Sequence, residues 1–206
     1  DTDGDGTGNE CDTDDDNDGV LDADDADPLD PEVQGSNSLL ARAADNLSHH
    51  VDESKHIGHA LKRLDKASED RNWIDENHAD PKKGHKIFNE SALAVRELEK
   101  VLKEDAKGKK VISEEARVWI GSALSDIEIA IAWLTEIQMD ESAGLVAIDP
   151  GKQKKVDREN SKAAGHFEQA TAHIDAGKLG KGLREYRKAW QHALKAQQHA
   201  LKAPKP

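Results

Sequence analysis

The run Ser113-Glu114-Glu115-Ala116-Arg117-Val118-Trp119-Ile120-Gly121-Ser122-Ala123-Leu124-Ser125-Asp126-Ile127-Glu128-Ile129-Ala130-Ile131-Ala132-Trp133-Leu134-Thr135-Glu136-Ile137-Gln138-Met139 decides the class of fold. Ser113 offers a side-chain oxygen to unpaired amides at a helix start, and Glu114 and Glu115 place negative charge where the helix dipole favours it. Trp119, Ile120, Ala123, Leu124, Ile127, Ile131, Trp133, Leu134 and Ile137 then recur at steps of three and four. They cover more than one face, which predicts a helix to about Met139 at the centre of a bundle. Asp126, Glu128 and Glu136 interrupt the most apolar stretch, Ile120 to Ile137, so no transmembrane segment is expected.

The same rhythm extends in both directions. Toward the N-terminus, Ile87, Phe88, Leu93, Val95, Leu98, Val101 and Leu102 mark a helix ending near Gly108. Before it lies a polar connection containing Trp73, from Asn72 to Gly84. A long first helix, near 37–70, carries Leu39, Leu40, Ala43, Leu47, Val51, Ile57, Leu61 and Leu64 and is weakened at Gly58. Toward the C-terminus, Asp149-Pro150-Gly151 breaks the pattern. A helix around 154–176 follows, with Val156, Ala163, Phe167, Ala170 and Ile174. The last helix, about 179–203, repeats Gln-His-Ala-Leu-Lys-Ala from Gln191 and again from Gln198; Trp190, Leu194, Gln197 and Leu201 are expected to share a seam with Leu183 and Tyr186, and Pro204 to end it. No stretch alternates with β-branched residues. The expectation is mainly α: a five-helix bundle over 36–206 with essentially no β. Residues 163–200 are spaced like one tetratricopeptide unit (Ala164, Phe167, Ala170, Gly177, Tyr186, Ala189, Ala193), but a single unit buries no continuous core, and a plain helical hairpin is the reading. The helical part is assigned to no named family.

Residues 1–32 differ in kind. Of 42 acidic residues in the chain, 15 lie there with no Lys or Arg, leaving 27 acidic against 29 basic groups in the rest. The net charge of −13 therefore resides in this arm, and a balanced body without a basic, aromatic-interleaved stripe predicts no nucleic-acid partner. The arm repeats itself at an offset of thirteen residues. Asp1, Asp3, Asp5, Asn9 and Asp12 form one set, and Asp14, Asp16, Asp18, Asp22 and Asp25 the second, at loop positions 1, 3, 5, 9 and 12, with Gly6 and Gly19 at position 6. Short oxygen-bearing side chains at that spacing, with a glycine turn after the third, can wrap a hard cation that needs six to eight oxygens. The carbonyls of Thr7 and Val20 are expected as backbone ligands. Position 12 is Asp where an EF-hand has Glu, and no helix pattern precedes either loop.

Residues 1–25, about an eighth of the chain, resemble thrombospondin type 3 repeats. Asp14, Asp16, Asp18, Gly19, Asp22 and Asp25 meet the family's D-x-D-x-D-G-x-x-D-x-x-D core, and the first copy departs from it only at Asn9. The resemblance implies a compact, nearly helix-free arm holding about two Ca2+ ions here, in a protein that is extracellular or at the cell surface. It also implies a cysteine partner for Cys11, the chain's one cysteine, which is expected upstream or on another chain if it pairs at all. Because the chain opens on ligand position 1, further repeats are expected before Asp1. Without a cation the closely spaced carboxylates repel, so the arm is expected to fold only with calcium.

The ten histidines occur largely as pairs seven apart, His49/His56, His78/His85, His166/His173 and His192/His199. Seven helical residues separate side chains by about 10 Å, too far for one ion, so solvent-facing histidines are expected. His56 and His59, three apart, are the exception, and Glu53-Ser54-Lys55-His56 is an isolated Glu-x-x-His. No His-Glu-x-x-His, Gly-x-Ser-x-Gly, phosphate-binding glycine loop or Cys-x-x-Cys-His is present, and no enzyme is expected. The sequence thus predicts a calcium-binding structural or adhesion protein whose arm positions a helical interaction domain that contacts protein partners or self-associates. The competing expectations are an accessory domain of a secreted enzyme and a His-rich transition-metal or haem module.

Overall fold

Six helices form among the residues described in the computed structural model, which are 1–18, 21–22, 25, 27–31 and 33–204. They are α1 (Ser36–Ser48), α2 (Lys55–Ala67), α3 (His85–Ala106), α4 (Glu114–Ala143), α5 (Gln153–Asp175) and α6 (Leu179–Ala200). Among the described residues the only β pairing is an isolated bridge between Trp73 and Ala79.

The expected five helices become six because the predicted first helix is two. Its apolar stripe runs unbroken from Leu47 to Ile57, both fully buried, and so conceals a corner at 49–54. Polar groups make that corner. Ser54 adopts an extended backbone and its hydroxyl accepts the His56 amide, starting α2. Glu53 turns away to accept the Ser113 amide and hydroxyl, both at 2.7 Å, from the start of α4. Gly58, the expected weak point, lies inside α2.

Ser113 caps α4 as its sequence requires, accepting the Ala116 amide at 3.0 Å. The helix packs against α1, α3, α5 and α6, so its central position is as expected. It runs four residues past Met139, to Ala143. Its buried face carries Ala116, Ile120, Ala123, Ile127, Ala130, Ile131 and Leu134, while Val118 and Ile129 on the outer face remain 61% and 42% exposed. α4 is the one described helix long and apolar enough to cross a membrane, but much of its apolar surface is taken up by these neighbours.

α5 and α6 form the expected hairpin. Gly177, at φ 67°, donates to the Ile174 carbonyl and lets Lys178 reach the His173 carbonyl, closing the end of α5. A methyl group at Gly182 would stand 2.5 Å from Ile174, so glycine allows the two helices their close approach. The seam on α6 differs from expectation at its end. Leu183, Tyr186, Trp190 and Leu194 are buried, but Leu201 is 63% exposed beyond the helix. Ala196 and Ala200 take over, packing with Ala147 and Val156 in a small separate core, and the helix ends at Ala200 rather than at Pro204.

The arm joins the bundle through Val33, which is fully buried, and through Arg42 on α1. The Arg42 guanidinium donates to Asp27 (2.9 Å) and Asp30 (2.6 Å) of the arm and to Asp126 (2.9 Å) of α4.

Candidate cation sites

In the arm, carboxylate oxygens of Asp1, Asp3 and Asp5 lie within 4.8 Å of one another, and so do those of Asp14, Asp16 and Asp18. These are positions 1, 3 and 5 of the two copies. Tight turning brings them together: Asp3 accepts the Asp5 amide and Asp16 accepts the Asp18 amide, at 3.1 and 3.2 Å. The backbone turns left-handed at position 4 of each copy, Gly4 at φ 78° and Asn17 at φ 59°, residues that tolerate this region. Sequence reasoning placed the turn at position 6. Gly6 fits, with φ 97°, but position 4 had its own signal in the Gly/Asn pair. Gly19 and Val20 lie outside the described residues.

Asp12, Asp22 and Asp25 do not join these triads at that distance; they and the other assigned residues described make local hydrogen bonds. Asn9 accepts from the Asp1 ammonium (2.5 Å) and the Thr2 amide (3.1 Å). The Thr7 amide donates to Asp5. Asp12 accepts from Thr13 and Asp14, Asp22 from Asp15, and Asp25 from Asp27, all through backbone amides. Asn17 ties the copies together, its side-chain amide donating to Asp3 Oδ2 at 2.6 Å. Cys11 is an exposed free thiol.

Electrostatics suit a cation in the second copy. Burial, with the charges of Asp18 and Asp14, raises the Asp16 carboxyl above its ordinary value against the opposing Asp18 amide. One Asp16 oxygen is shielded from solvent with no hydrogen-bond donor. An all-oxygen cluster centred on the buried Asp16 carboxylate is the donor type that Ca2+ prefers.

The helical body contains a motif that sequence reasoning missed. Glu97, Glu159 and Glu185 each accept from a lysine one turn later, Lys100, Lys162 and Lys188, at 2.6 to 2.9 Å. Each also bonds a histidine Nδ1 from a neighbouring helix, His56, His192 and His166, at 2.6 to 2.8 Å. Burial alone would raise the Glu97 and Glu159 carboxyls, but their lysine and histidine partners hold each down to about 2. The signal was Glu-x-x-Lys, which occurs four times, at Glu97, Glu104, Glu159 and Glu185, and takes a histidine Nδ1 at three of them. Four histidines expected at the surface, His50, His56, His166 and His192, are largely enclosed, because each has a carboxylate to satisfy it. His166 and His192 also stack, with ring centroids 5.4 Å apart.

One histidine group gathers a third ligand. His56, His59 and Glu97 present donor atoms within 4.8 Å of one another. Glu53 of the isolated Glu-x-x-His does not join His56; it is held by Ser113 and His50. A hollow of about 210 Å³ beside the group is lined by His59, Glu97, Lys62, Arg63 and Lys66. A larger hollow, about 800 Å³, lies between α3 and the start of α6 and includes Arg96, Lys178, Lys181, Arg184 and Arg187 in its lining. No protein-family model matches the chain, and neither a curated protein nor a solved structure matches it.

Proposed function

We propose that this is a calcium-binding structural protein of the cell surface or extracellular space, in which two Ca2+ ions stiffen an acidic arm that positions a helical interaction domain. The observation that carries the reading is the convergence of Asp1, Asp3 and Asp5, and separately of Asp14, Asp16 and Asp18, at the same three positions of a repeated sequence. The resemblance to thrombospondin type 3 repeats supports the extracellular setting. Each ion would neutralise several carboxylates and replace mutual repulsion by a shared counter-charge, turning a repelling coil into a spacer. Arg42 then fixes the base of that spacer, since its guanidinium spans Asp27, Asp30 and Asp126. The helical domain is the part that meets protein partners or further copies of the chain.

Calorimetric titration of the metal-free chain with Ca2+ tests the reading. It should find about two sites, and Asp3→Asn with Asp16→Asn should remove both. A flat titration at millimolar Ca2+, or binding unchanged in the double variant, would refute it. Light scattering with Ca2+ and with chelator tests self-association through the same arm.

A further inference from the structure

We propose that His56, His59 and Glu97 form a second, chemically distinct metal site that takes zinc or a similar imidazole-preferring divalent ion. It is independent of the calcium arm. Imidazole nitrogen selects for Zn2+, Cu2+ or Ni2+, whereas Ca2+ demands an oxygen shell, so the two sites discriminate between ions by donor type.

The geometry is already close. His56 and His59 stand three apart on the first turns of α2 and therefore share a face. Their rings lie 6.0 Å apart, nearly perpendicular. Glu97 of α3 points one oxygen, Oε2, between them, 2.6 Å from His56 Nδ1 and 3.9 Å from His59 Nδ1. Tetrahedral zinc, with bonds of about 2.0–2.2 Å, separates neighbouring donor atoms by roughly 3.3 Å. The first distance opens and the second closes by a fraction of an ångström, within reach of small side-chain rotations.

The surroundings supply the outer shell such a site needs. With His56 Nδ1 facing the metal, its other nitrogen, Nε2, carries the proton and faces Glu104 Oε1 at 3.7 Å, a gap that a small side-chain rotation closes to a hydrogen bond. A carboxylate behind a ligating imidazole fixes its tautomer and raises its basicity. Lys100 holds the second oxygen of Glu97 at 2.6 Å, so Oε2, which shares a proton with His56 Nδ1 at 2.6 Å, is the oxygen a metal takes when it displaces that proton. Three protein ligands leave zinc a fourth position for water or an anion. His59 and Glu97 also line the hollow that contains Lys62, Arg63 and Lys66. These cations lower affinity for a bare metal ion and favour a small anion, such as hydroxide or carboxylate, in the open position.

The test uses the full chain in millimolar Ca2+, which occupies oxygen sites in the arm, with Zn2+ titrated by calorimetry and Co2+ followed by visible absorption. One Zn2+ per chain is expected, with a Co2+ spectrum of tetrahedral intensity. His59→Ala, a half-exposed position whose loss leaves the core intact, should abolish both. Glu104→Gln should weaken Zn2+ binding by about tenfold, as loss of an outer-shell partner does. His49→Ala, at an exposed position outside the cluster, should change neither. The proposal is overturned if Zn2+ fails to bind, or if it binds His59→Ala as tightly as the unaltered chain. Because Ca2+ is present throughout, failure here is separable from failure of the arm to bind calcium.

Discussion

Arg42 on α1 and Asp126 on α4 meet at 2.9 Å where Asp126 is almost wholly enclosed. Burial raises the Asp126 carboxyl, Arg42 opposes that rise, and the charges of Asp27 and Asp30 add to it. Arg42→Met would leave Asp126 buried without its cation, and removing one member of a buried pair destabilises strongly. Thermal or urea unfolding should show a loss of about 2–3 kcal/mol at neutral pH, the low end because Arg42 is itself partly exposed. An Asp with a raised native value binds its proton more readily folded than unfolded, so its stability contribution is present in acid and lost as pH rises above 3.8. The penalty of Arg42→Met should therefore shrink as the pH is lowered toward 4.

Glu159 behaves in the opposite sense. Its carboxyl is held down to about 2 by Lys162 and His192 in the folded chain, against 4.5 without them. The stability it adds is present above the unfolded value and disappears as pH falls from 4.5 toward 2. In chelated protein, the acid slope of unfolding free energy should be shallower for Glu159→Gln than for the unaltered chain. Equal slopes would assign acid sensitivity to other carboxylates.

Asn17 links the two arm sites through its amide on Asp3. Asn17→Gly keeps the left-handed backbone at φ 59° accessible and removes only that amide. Calcium titration should show the first site weakened several-fold and the two sites less coupled. An unchanged isotherm would mean that each copy binds alone.

Gly182 sits where α6 passes α5, with space for no β-carbon beside Ile174 and the Ala170 carbonyl. Gly182→Ala should lower the thermal midpoint by several degrees, corresponding to about 1–3 kcal/mol of overpacking, although alanine favours helix elsewhere. Gly165, inside α5 with open space where a β-carbon would stand, should gain stability on the same change.

Periodicity located the α-helical regions, with α1 and α2 merged into one, because apolar spacing reports burial directly, and Ser113 with its acidic turn gave the start of α4 within a residue. It failed at 49–54 because the stripe through Leu47 and Ile57 continues across the corner while Ser54 and Glu53 act on the backbone. In the arm, positions 1, 3 and 5 were legible because near neighbours in sequence converge locally. The His56, His59 and Glu97 group was not, since Glu97 lies 38 positions after His59 and only packing of α2 on α3 joins them.

The small core of Ala147, Val156, Ala196 and Ala200 stands apart from the main one and buries little beyond methyl groups and one isopropyl. Opening free energy varies along a fold with the apolar contact that resists it. The helical bundle should therefore unzip first at this end, with amide protons there exchanging ahead of those near Trp190, and within the bundle a protease should make its earliest cut beside Ile148 or Leu201.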